Sequence, residues 1–95
     1  MAMKLWFENS EGNERLIADC HTWQDVNETI DDFIENCNSR KIAASMDRYG
    51  EEFDMSKVNL FKRYYTRVWQ QKDGRTRIDV GSHTEFFIWE GKYPE

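Results

Sequence analysis

Apolar side chains recur along this chain in three rhythms, and each predicts a different element. From residue 3 to residue 20 the period is two, as in a half-buried β-hairpin. With Gly12-Asn13 at the centre of a two-residue type II′ turn, Leu5 opposes Cys20, Phe7 opposes Ala18 and Asn9 opposes Leu16. The apolar partners then share one face. Lys4, Glu8, Arg15 and Asp19 gather on the other, with Trp6 and Ile17 as its apolar exceptions. A slip of one residue would mix the two sets, so burial fixes the register and places Cys20 on the core side.

The second rhythm begins at Trp23. Trp23, Val26, Ile30, Phe33, Ile34 and Cys37 form one stripe of helical period, which predicts a helix over 23–37. Thr22 is its expected cap, with Asp25 three residues on in the manner of a capping box. The opposite face carries Asp25, Glu28, Asp31, Asp32 and Glu35 and no Lys or Arg. Over 38–59 the pattern is mixed. Ile42, Met46, Tyr49 and Phe53 fit a helical stripe, whereas Ile42, Ala44 and Met46 alternate as in a strand. A short helix is the preferred reading, and Gly50 would end either element.

Residues 60–90 return to strand character as a three-stranded meander. Asp73-Gly74 is a type I′ hairpin signal that opposes Trp69 to Ile78 and Arg67 to Val80. Tyr65 then shares the Trp69 face, with Tyr64 and Val68 on the other. Gly81-Ser82-His83-Thr84 reads as a tight turn in which Ser82 and Thr84 bond local backbone groups. The four apolar residues Phe86 to Trp89 suit a strand covered on both sides, or one that pairs two copies in a homodimer if it lies at an edge. The predicted fold class is α+β: an antiparallel sheet of about five strands, from the N-terminal hairpin and the C-terminal meander, packed against one main helix.

Composition adds what the core is made of. Phe, Trp and Tyr together outnumber Ile, Leu and Val, so the interior of this 95-residue chain is expected to be built from rings. One domain over 1–95 is the natural division at this length. Met1-Ala2 reads as a cloning remnant before a natural start at Met3, and the lone Pro94 falls in the tail. No apolar run approaches the length of a membrane span and no signal segment opens the chain, so a soluble, cytoplasmic protein is expected.

Charge is unevenly spread. The chain carries a net −5, but residues 1–56 hold −8 and residues 57–95 hold +3. Cys20 and Cys37 are too few for a secreted disulfide scaffold and read as reduced thiols. With His21 and His83 they match no zinc spacing, so no metal and no cofactor is expected. Ser82, His83 and Glu85 bring a hydroxyl, an imidazole and a carboxylate together. Neighbours in one tight turn, however, cannot generally build a nucleophile–base–orienter chain. No catalytic residues are assigned, and the chain is read as a non-enzyme.

Two surfaces remain. The carboxylates Asp25, Glu28, Asp31, Asp32 and Glu35 can meet a basic groove on a protein partner, including a groove that ordinarily holds nucleic acid. The alternative is nucleic-acid binding through the basic, aromatic stretch of residues 57–77. There Arg63, Tyr65, Arg67, Trp69 and Arg77 would supply phosphate attraction and base stacking.

Tyr64-Tyr65-Thr66-Arg67-Val68-Trp69, Asp73-Gly74 and the run from Asp79 to Trp89 resemble small uncharacterised proteins encoded by phages and prophages of Gram-positive bacteria. Lys4-Leu5-Trp6-Phe7-Glu8 and Gly12-Asn13-Glu14-Arg15 are similar too, and residues 38–59 look like an insertion in that pattern. The resemblance implies a setting, not an activity. It implies a small accessory phage protein acting in a bacterial cytoplasm, and the protein partner expected for the acidic helix face is a host or phage protein.

Overall fold

The computed structural model describes residues 3–92. The expected cloning remnant Met1-Ala2 and the tail residue Pro94 lie outside the described residues. Residues 4–19 form the first hairpin, β1 (Lys4–Glu8) and β2 (Glu14–Asp19). Its turn holds three residues, Ser10 to Gly12, where two were expected. The Asn9 carboxamide oxygen accepts from the backbone N–H groups of Glu11 and Asn13, and Asn9 N–H bonds the Asn13 carbonyl. Gly12 closes the loop at φ +86°, a conformation open to glycine at little cost.

The expected pairs are therefore replaced. Phe7 opposes Arg15 and Trp6 opposes Leu16, then the register shifts at a bulge so that Leu5 opposes Ala18. The bulge restores the inward facing of Ala18 and Cys20. It also turns Ile17 toward the core, while Leu16 is left exposed beside Trp6.

The meander hairpin repeats this departure. β3 (Arg67–Gln70) and β4 (Thr76–Asp79) are joined by Lys72, Asp73 and Gly74, closed by Gln71 N–H on the Arg75 carbonyl at 2.7 Å. Gly74 takes the third loop position at φ +92°. One extra loop residue moves the register by one, which exchanges the faces of the strand. Val68 opposes Ile78 and packs on the core, and Trp69 opposes Arg77 on the far face. Tyr65 and Trp69, expected together, lie on opposite sides.

β5 (Phe86–Trp89) completes an antiparallel sheet of order β2-β1-β5-β4-β3. It is the central strand, and Phe87, Ile88 and Trp89 are buried although only one face of the sheet lies under α1. Both of its edges are bonded within the chain, so the edge position required for homodimer pairing through Phe86–Trp89 is not met.

Helix α1 (Trp23–Tyr49) has 27 residues and runs well beyond the predicted end at Cys37. Thr22 Oγ1 accepts from Asp25 N–H at 3.1 Å, and the Asp25 carboxylate reaches back to His21 N–H at 3.2 Å. Nothing after Cys37 breaks the helix. Residues 40–48 include the helix formers Arg40, Lys41, Ala43, Ala44 and Met46, and the helix continues to a C-cap at Gly50. The chain returns through two 3₁₀ turns, Gly50–Glu52 and Met55–Lys57, to Phe61. Asn38 anchors that return, donating to the Phe61 carbonyl at 3.0 Å and accepting its N–H at 2.9 Å.

Val26, Ile30 and Ile34 of α1 pack with Leu5, Phe61, Ile78, Val80, Phe87 and Trp89 in one core. Each fully buried aliphatic side chain contributes about 2 kcal/mol. Rings fill the centre: Phe33 lies 4.9 Å from Phe7 and 5.3 Å from Phe87, centroid to centroid. Buried polar groups have partners. Trp89 Nε1 donates to the Cys20 carbonyl and Thr76 Oγ1 to the Gly91 carbonyl.

Candidate functional site

Because the core stripe of α1 faces the sheet, Asp25, Glu28, Asp32 and Glu35 fall on a row at spacings of three and four along its outward side. The same spacing carries the row on through Ser39, Ile42, Met46 and Tyr49. Its first half is acidic and its second half apolar. Over the ~1.5 Å rise per residue the row spans about 36 Å. Met46 and Tyr49 are each about half exposed, at 53% and 51%, as is Met55 on the returning chain at 49%.

The five expected carboxylates divide by partner. Asp25 is spent on the helix cap and Asp31 pairs with Arg63 at 3.0 Å. Glu28 accepts from Gln24 Nε2. Glu28, Asp32 and Glu35 have no ion-pair partner among the described residues.

The residues expected for nucleic acid are not brought together. Arg63 and Tyr65 face α1, and Tyr65 Oη donates to Asn27 Oδ1 at 2.5 Å. Burial first, and the Asp31 charge second, push the Tyr65 hydroxyl up to about 12. Arg67, Trp69 and Arg77 lie on the open face of the sheet, which no helix covers. There Arg77 binds Glu8 and Gln71, and Arg75 binds Glu14 at 2.8 Å and Asp73 at 2.9 Å. The Arg77 guanidinium stands 4.8 Å over the Phe86 ring and that of Arg67 4.3 Å over Trp69. Ile88, on this same face by strand alternation, is fully buried. Of the three arginines that carry the alternative reading, Arg63 pairs with Asp31 and Arg77 with Glu8, and Arg67 has no ion pair among the described residues.

The β4–β5 turn is organised by a residue that sequence reasoning passed over. Asp79, 2% exposed, accepts from Gly81 N–H, His83 N–H and His83 Nδ1, the last at 2.7 Å. Burial opposes its charge, but these hydrogen bonds outweigh burial and hold the carboxyl below its ordinary range. Ser82 Oγ donates to the Glu85 carbonyl and accepts Glu85 N–H, a local turn bond as expected.

Cys20 is buried and its thiol donates to Thr29. Burial pushes up both this thiol and that of Cys37. No cluster of three His, Cys, Asp or Glu side chains suited to a metal occurs among the described residues. No helix among them is long and apolar enough to cross a membrane.

One concave feature adjoins the acidic row. A cleft of about 310 Å³ opens between α1 and residues 63–65, with Ile30 and Ile34 at its base. Tyr64, Tyr65 and Asn27 form its walls, and the Asp31–Arg63 pair bridges its rim. No protein-family model, no curated protein and no solved structure matches this chain, so the reading of these surfaces rests on their own geometry.

Proposed function

We propose that this chain is a non-enzymatic binding module that engages a protein partner through the outward row of α1. The carrying observation is the exposed set Glu28, Asp32 and Glu35, free of ion pairs among the described residues, in line with the exposed Met46 and Tyr49. Acidic groups without counter-ions speed encounter with a basic surface and fix its register, and desolvated Met and Tyr supply affinity. The phage setting implied by the resemblance makes a host or phage protein the expected partner, one whose basic groove normally holds a polyanion included.

A pull-down from a Gram-positive host lysate tests this. The wild-type chain is expected to retain a salt-sensitive partner that a variant with Asp31, Asp32 and Glu35 reversed to Lys does not. Equal capture by a folded triple variant overturns the reading.

Arg67 stacked on Trp69 without an ion pair favours a second reading, single-strand binding at the open sheet face. It predicts a gel shift at low salt that Trp69→Ala abolishes. Absence of any shift ends it.

A further inference from the structure

The cleft between α1 and residues 63–65 combines three properties that suit one kind of occupant. Its base is aliphatic (Ile30, Ile34), its walls include two tyrosine rings, and its rim carries the Asp31 carboxylate. Glu28 and Glu35 stand one helical turn to either side of Asp31. A long cationic side chain has the matching parts: an aliphatic stem for the apolar base and a charged head for carboxylate and ring.

The chain's own cations already behave this way. Arg63 places its guanidinium on Asp31 at 3.0 Å, and Lys62 Nζ lies 5.9 Å from the Tyr64 centroid. Both members of the Asp31–Arg63 pair are half exposed at 52%, which makes the pair weak and exchangeable. Tyr64, 63% exposed, leaves ring surface available to an incoming stem. Tyr65 is held in place by Asn27 and serves as the fixed wall.

We infer that this cleft is the anchor pocket for an arginine or lysine of the protein partner, and that Arg63 occupies its rim as an internal competitor until displaced. The inference rests on the acidic-row reading and specifies what the partner inserts there.

The probe is a fluorescein-labelled oligo-arginine peptide, with binding followed by anisotropy at fixed ionic strength. Removing the competitor has an unusual sign: Arg63→Gln is expected to tighten binding about fivefold. Arg48→Gln makes the same change in net charge on the far end of α1 and controls for bulk electrostatics. Tyr64→Ala leaves net charge unchanged and is expected to weaken binding about fivefold. Asp31→Asn is expected to weaken it more than Asp47→Asn does.

Equal affinities for Arg63→Gln and Arg48→Gln, or no effect of Tyr64→Ala, overturn the pocket. A companion variant, Asp32→Lys with Glu35→Lys, separates the two levels. If it weakens the peptide while Arg63→Gln matches its control, the pocket falls and the acidic row stands. If neither matters, both fall. Circular dichroism confirms that each variant is folded, which surface changes at half-exposed positions are expected to permit.

Discussion

The outward row of α1 and the open face of the sheet both carry charge and both lack a covering element, yet they are built in opposite ways. On the sheet two of the carboxylates are held by cations: Glu8 holds Arg77 and Glu14 holds Arg75. The guanidinium of Arg77 then lies over Phe86, so ion pairs and rings seal Ile88 from water without a second layer. On α1 the carboxylates of Glu28, Asp32 and Glu35 have no such partners among the described residues, and Met46 and Tyr49 remain half exposed. Charge on the sheet face completes the fold. Charge on the helix row is left over for something else.

The comparison is sharpest at Ile88. If the open face is a second small core, Ile88→Ala should destabilise the protein by about 3 kcal/mol, as at any buried aliphatic site, although no helix covers it. Urea denaturation measures this. A loss under about 1 kcal/mol would mean that the face yields easily and resembles the α1 row after all.

Next in size is the seal itself. The side chains of Arg77 and Glu8 are 19% and 18% exposed. Arg77→Ala strands the Glu8 carboxylate and uncovers the Phe86 ring, at an expected cost of about 2 kcal/mol. The same truncation at Arg67, which has ring contact but no ion pair, should cost under about 1 kcal/mol. Equal losses in the two variants would show that stacking alone seals the face.

How much of this contrast was legible in the sequence depends on loop length. The α+β class, the sheet of five strands, the Thr22 cap and the core stripe of α1 all follow from periodicity and end signals. Which face Trp69 occupies does not. Asp73-Gly74 announces a hairpin but fits a two-residue loop and a three-residue loop alike, and the difference turns Trp69 outward and Val68 inward. Gly12 poses the same ambiguity. There Asn9 selects the longer loop through hydrogen bonds that only its conformation reveals.

Arg63, Tyr65, Arg67, Trp69 and Arg77 are close along the chain, but it bends over residues 63–66 before β3 begins, so Arg63 and Tyr65 face α1 while Arg67, Trp69 and Arg77 lie on the open sheet face. Asp25, Glu28, Asp32 and Glu35 form a row because α1 is regular and spacing maps directly onto a face, with Asp31 beside it at the cleft. Its apolar continuation through Ile42, Met46 and Tyr49 was visible as a stripe, but its alignment with Glu35 needed the unbroken helix.

Acid supplies a test of the turn that closes the open face at its β4–β5 end. Asp79 is held below the ordinary carboxylate range near 3.9 by hydrogen bonds that outweigh its burial. A depressed folded-state value means that its stabilisation is complete above the unfolded value and is lost as pH falls through the folded one. Asp73 and Glu90 are lowered as well, through N–H groups of Arg75 and Lys4, so the informative quantity is a difference. Asp79→Asn should flatten the fall in stability below pH 4 relative to wild type. Parallel acid curves would remove Asp79 from the organisation of that turn.

The smallest effect on stability is expected where the effect on binding is largest. Reversing Asp32 and Glu35 to Lys disturbs no ion pair and places cations nearer the middle of α1 than either end, where the helix dipole acts weakly. Stability should change by no more than about 0.5 kcal/mol per site, and removal of mutual repulsion along the row can make the sign favourable. Partner capture should nevertheless disappear, and the wild-type interaction should weaken steeply with salt while the urea midpoint hardly moves. A fold that loses stability with these reversals in step with its binding would place the row among the structural charges of the sheet face. Only the uncoupled result, in which binding is lost and stability kept, gives the two surfaces the separate roles that their ion pairing implies.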